Sequence, residues 1–162
     1  MTVAEPTTLF RQTYTLTDSA GSGDPFGELA LRIFRGGRLT VGDTDYEIEP
    51  VGALQRGLDL TLGAAHIAAS RRPSLLRRAT AVTFAAEAIG TDADLGIDLT
   101  PEGWFGRRWT VAADGVEVGR ADWTGHVRSR LHLDMPDALP LVVPAFLVAV
   151  LAIQRRNDRN NG

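Results

Sequence analysis

Apolar residues recur at every second position along most of the chain. Leu29, Leu31 and Ile33 alternate with Ala30 and Arg32, and Tyr46 and Ile48 sit between Asp45, Glu47 and Glu49. Leu58, Leu60 and Leu62 flank Asp59 and Thr61. Thr80, Val82 and Phe84 form a further row, as do Leu95, Ile97 and Leu99, and Arg107, Trp109 and Val111. A period of two places each row on one face of a strand. With Leu9–Leu16, Leu39–Val41, Ala65–Ser70, Val116–Val118 and His126–Leu133, the pattern predicts about eleven strands between residues 9 and 133. Gly36-Gly37 and Asp114-Gly115 mark turns, the second a strong hairpin signal. Asp18 to Gly27 (DSAGSGDPFG) reads as a long connection within one domain.

The pattern changes once. Ala138 to Ile153 (ALPLVVPAFLVAVLAI) is an apolar run of 16 residues, followed by Arg155, Arg156 and Arg159. Asp137 is a candidate N-cap, Pro140 and Pro144 fall near the start, where proline is tolerated, and the polar residues Gln154 to Asn161 end the helix. A helix apolar on all sides must lie within protein or lipid. The run is shorter than the roughly 18 residues that usually span a bilayer. Barrels of about eleven strands can hold a central helix, and a 16-residue helix, about 24 Å long, matches the height of such a barrel. The expected fold is mainly β: a single-domain closed antiparallel barrel of about 12 strands, over residues 9–133, around a central hydrophobic helix over 138–156. The alternative is a tail anchor. The flanking Arg residues would then hold the tail in the cytoplasm and put the β-domain outside, with no signal peptide to carry it there. A cytoplasmic location, peripheral to the membrane, is therefore expected.

Composition narrows the chemistry. The chain has 162 residues, is 44% hydrophobic and carries a net charge of −3, so it can build one core and lacks the basic excess of a general nucleic-acid binder. It contains no Cys, which excludes disulfides, thiolate metal sites and cysteine nucleophiles. All 17 basic side chains are Arg, which excludes Schiff-base chemistry and phosphate capture by a P-loop Lys.

Three stretches carry a family likeness: Ile67 to Arg78 (IAASRRPSLLRR), Phe105 to Trp123 (FGRRWTVAADGVEVGRADW) and Met135 to Arg156 (MPDALPLVVPAFLVAVLAIQRR). A string of β-hairpins followed by one apolar C-terminal helix resembles the tubby C-terminal-like group, which includes phospholipid scramblases and LURP-one-related proteins. The resemblance implies a twelve-stranded barrel around a buried helix. In some members it also implies binding of phosphoinositides or other anionic lipid. This chain departs from the animal scramblases in offering no Cys for acylation.

The candidate ligand-binding residues are Arg71, Arg72, Arg77 and Arg78, which flank Pro73-Ser74, together with Arg128 and Arg130. The planar guanidinium fork donates two hydrogen bonds at once and suits phosphate. In a strand, His126, Arg128, Arg130 and His132 would share one face and bind polyanions more strongly as His protonates. The structural alternatives are a solvated turn and an ordinary outer wall. Trp104, Phe105, Trp109 and Trp123 fit either a lipid-headgroup contact or core packing. No catalytic motif occurs; His66 reads as structural, and Asp92, Asp94 and Asp98 do not have calcium-loop spacing. No metal or cofactor is expected. The functional expectation is a non-enzymatic binding module recognising anionic phospholipid, a membrane surface or another phosphorylated ligand. The alternatives are a structural or protein-interaction domain with no small ligand, and a tail-anchored membrane protein.

Overall fold

The computed structural model describes residues 1–7, 12–18, 23–32, 36–52, 57–73, 79–103, 106–125 and 129–160, with the backbone alone at 12, 159 and 160. Among the described residues twelve strands follow one another: β1 (Thr2–Pro6), β2 (Gln12–Asp18), β3 (Pro25–Leu31), β4 (Gly37–Val41), β5 (Thr44–Val51), β6 (Gly57–Leu62), β7 (Ala65–Arg71), β8 (Thr80–Phe84), β9 (Leu95–Glu102), β10 (Arg108–Ala113), β11 (Val116–Thr124) and β12 (Arg130–Asp134). A single turn of helix, α1 (Ala86–Ile89), lies between β8 and β9, and α2 (Val142–Asn160) ends the chain. Each strand pairs antiparallel with its neighbours in sequence. β1 closes the ring on β12 with Ala4 opposite Leu131.

The two-residue period sets what faces inward. Leu16, Leu29, Leu39, Ile48, Leu60, Val82, Ile97, Val111 and Leu131 are buried, each on a different strand. Their neighbours on the other face include Glu28, Arg38, Asp45, Glu47, Asp98, Arg108 and Arg130, all exposed. A membrane-spanning barrel presents an apolar belt to lipid; this outer wall is charged. Among the described residues no helix is long and apolar enough to cross a membrane.

The barrel needs its helix. With strands about 4.8 Å apart and tilted by about 40°, twelve strands enclose a radius of roughly 12 Å, which leaves room for one helix of about 10–12 Å diameter. Every residue of α2 from Val142 to Ile153 is buried, and a run of three turns covers all directions around the axis. Contacts on opposite walls confirm that the helix is surrounded. Its backbone comes closest to β4, β1, β12 and β3. Across the lumen, Phe146 meets Phe84 of β8 edge to face, with ring centroids 5.9 Å apart.

Four expectations change. The first strand is β1, at Thr2–Pro6, ahead of residue 9; its short apolar stretch, Val3-Ala4, is too brief to show alternation. Pro25 and Phe26 belong to β3, so the connection after Asp18 is shorter than expected. The helix spans 142–160 instead of 138–156. Asp137 is not its N-cap: the first turn is closed by backbone bonds from Val143 N–H to the Pro140 carbonyl and from Ala145 N–H to the Leu141 carbonyl. At the far end the polar residues continue the helix because the barrel holds them. Gln154 hydrogen-bonds Thr80, Arg155 donates to Ser129 Oγ at 2.8 Å, and Arg156 donates to the Arg32 carbonyl at 3.2 Å. Asp114 and Gly115 have φ of 50° and 77°, the doubly left-handed turn that joins β10 to β11.

Candidate functional site

An up-and-down barrel sends alternate connections to opposite mouths. One mouth receives the β1–β2, β3–β4, β5–β6, β7–β8, β9–β10 and β11–β12 connections, and α2 ends there. In sequence each of these connections carries Arg and none carries Asp or Glu: Arg11; Arg32 and Arg35; Arg56; Arg72, Arg77 and Arg78; Arg107; Arg128. The opposite mouth receives the other connections, with Asp24, Asp43, Glu87, Asp92, Asp94, Asp114 and Asp137 and no Arg. The barrel is polar along its axis although its net charge is only −3.

Among the described residues the basic mouth presents Arg32 and Arg107, both exposed, with Arg72, Arg155 and Arg156 partly buried. Two of these belong to α2. Helix C-termini carry about half a negative charge, so Arg155 and Arg156 are favourably placed in its last turns. The Arg155 guanidinium also lies 4.4 Å from the centre of the Trp123 ring. Trp123 is buried, and its indole N–H has no hydrogen-bond partner among the described residues.

The sequence-predicted residues divide. Arg71 ends β7 and is committed to the wall: its Nη1 donates to Asp59 Oδ1 at 2.8 Å and to the Ser70 carbonyl at 2.8 Å. Arg130 opens β12 and pairs with Glu5 Oε1 of β1 at 3.1 Å. Arg72 follows Arg71 at the mouth. Arg77, Arg78 and Arg128 lie outside the described residues, as do His126, Trp104 and Phe105. Five strand positions separate β7 from β12 around the ring, so Arg71 and Arg130 share a rim but no common pocket. His132 faces outward and hydrogen-bonds Thr124 Oγ1 at 3.1 Å. Trp109 and Trp123 are core residues; Trp109 Nε1 donates to the Gly106 carbonyl at 3.0 Å. His66 sits 3.9 Å from Asp59 on the wall.

Arg32, Arg107, Arg155 and Arg156 are not among the ligand residues the sequence suggests, because none stands out as a phosphate binder in its own segment. The signal was present in the alternation: once the strands are ordered, Arg falls on every second connection.

Among the described residues no group of His, Asp and Glu is arranged to hold a metal ion. A depression at the acidic mouth, where α2 enters, is lined by Thr2, Asp18, Met135, Asp137, Leu139 and Pro144. The class defined by this geometry is a helix-filled, charge-polarised antiparallel barrel. Comparison with protein-family models, curated proteins and solved structures finds no match to the chain.

Proposed function

We propose that the protein is a non-enzymatic binding module that recognises a phosphate-bearing anionic ligand, anionic phospholipid headgroups included, through its basic mouth. The observation that carries this reading is the sorting of charge between the two mouths. Among the described residues Arg32, Arg72, Arg107, Arg155 and Arg156 outnumber Glu5, Glu102 and Asp158 at one end, while the other has Asp24, Asp43, Glu87, Asp92, Asp94, Asp114 and Asp137 and no Arg in its connections, so the field draws anions to a single face. Arg suits phosphate because its fork donates paired hydrogen bonds. The closed twelve-strand barrel with its C-terminal helix is also the architecture that the tubby-like resemblance implies, which supports placing the chain in that group. The reading includes peripheral association with a membrane surface.

Two probes test it: inositol hexakisphosphate as a soluble polyphosphate, and vesicles containing phosphatidylglycerol. Binding to at least one is expected, weakening as salt screens the charges, and weakening again in Arg32→Gln with Arg107→Gln. Failure to bind either probe, or binding that both salt and the double substitution leave unchanged, would overturn the proposal.

A further inference from the structure

We infer that the basic mouth docks end-on against a planar anionic membrane surface, with the barrel axis along the membrane normal and the acidic mouth facing solvent. This rests on the reading of the basic mouth as an anion-binding face, and selects a lipid surface over a free phosphorylated ligand.

Three observations carry it. The first is dispersion. Arg32 follows β3 and Arg107 precedes β10, and five positions separate these two strands the shorter way around a ring of twelve. They stand on nearly opposite sides of a rim roughly 24 Å across. One phosphate group cannot meet both, whereas a sheet of headgroups can. The second is that the lumen is full. Residues 142–153 of α2 are buried inside the barrel, and Gln154, Arg155 and Arg156 reach out from its end to Thr80, Ser129 and Arg32. The centre of the mouth is therefore occupied by an Arg-bearing helix end.

The third is orientation. The carboxylates of the acidic mouth would be repelled by anionic lipid. So would the wall over β3 to β6, whose outer face carries Glu28, Asp45, Glu47, Glu49 and Asp59 against only Arg38 and, from β7, Arg71. Lying sideways on that wall or standing inverted both bring like charges together. The α2 dipole runs the other way but amounts to about half a charge at each end, less than one Arg.

The absence of Cys makes the test direct, because a single introduced Cys takes a fluorescent label at one place. Thr7 lies at the basic mouth, Ala64 at the acidic mouth, and Thr83 on the outer wall, and all three are exposed. Full-length Thr7→Cys, Ala64→Cys and Thr83→Cys, each labelled with an environment-sensitive dye, are mixed with phosphatidylglycerol-containing vesicles or with phosphatidylcholine vesicles. Only the Thr7 label should respond, and only to the anionic vesicles. Arg32→Gln with Arg107→Gln should lower vesicle partitioning about 25-fold, taking about five-fold for each Arg near an anionic surface. Arg120→Gln removes one charge from the middle of the wall and should leave partitioning unchanged.

A response from the Ala64 or Thr83 label overturns the end-on mode. Binding of inositol hexakisphosphate without binding to vesicles overturns the membrane assignment but leaves the anion-binding reading standing; binding of neither removes both. Responses from the Thr7 and Ala64 labels without vesicles, together with oligomers on sizing, would instead assign the mouths to stacking of copies of the chain.

Discussion

Phe146 tests whether α2 is the core of the barrel. Its side chain is fully buried and its ring stands at 86° to that of Phe84 on β8. Truncation to Ala opens a void between helix and wall that neither side can close without shifting the ring of strands. Phe→Ala changes at such sites cost about 3–5 kcal/mol. For a domain of this size that lowers the melting temperature by about 6–20 °C. The edge-to-face contact should appear as a coupling of about 0.5–1.5 kcal/mol in a double-mutant cycle with Phe84→Ala. Leu141 lies one residue before the helix and is 46% exposed, so Leu141→Ala is the matched control and should stay within about 0.5 kcal/mol. Urea denaturation followed by tryptophan emission reads both, since Trp109 and Trp123 lie in the same core. The reasoning is refuted if Phe146→Ala shifts the midpoint no further than Leu141→Ala, because the helix would then not be packed against the strands.

Other positions give sharp expectations. Gly36 has a φ of 76°, and a Cβ there would run into the Ile48 carbonyl, so Gly36→Ala should cost more than about 2 kcal/mol, read as a lower melting temperature. The buried Ser70 hydroxyl accepts the Leu58 N–H at 3.1 Å; Ser70→Ala leaves that donor unpaired and should cost about 1–3 kcal/mol in urea denaturation. Arg155→Ala removes the cation from the Trp123 ring and the bond to Ser129, and should cost about 1–2 kcal/mol. It should also change native tryptophan emission, whereas Arg156→Ala, which removes a bond to the Arg32 carbonyl, should not.

The barrel was legible in the sequence because its two signals are periodic and separate. Rows such as Leu58, Leu60 and Leu62 can be read without knowing their partners, and Val142 to Ile153 has no polar side to place in water. Elements that take their stability from tertiary partners were not legible. β1 offers only the small side chains of Thr2 and Ala4 to the interior, and it becomes a strand by bridging β2 and β12. α1 is one turn long, closed by Gly90 in the left-handed region and by Asp94 accepting the Ala86 N–H at 2.9 Å. The final turns of α2 look like a polar tail until Thr80, Ser129 and Arg32 are placed beside them. The site was half legible for the same reason. The Arg71-Arg72 doublet is conspicuous in one dimension, yet Arg71 serves the wall through Asp59, and the rim is assembled from Arg residues far apart in the chain.

Native-state hydrogen exchange of the full-length protein tests the enclosure of α2 most directly. The amides of Phe146 to Ile153 should exchange only through global unfolding, with the same free energy and the same urea dependence as those of the slowest strand positions, such as Leu60 and Val111. Exchange of those helix amides at a clearly lower free energy, while the strands stay protected, would mean that the barrel stands without its helix and would contradict the account.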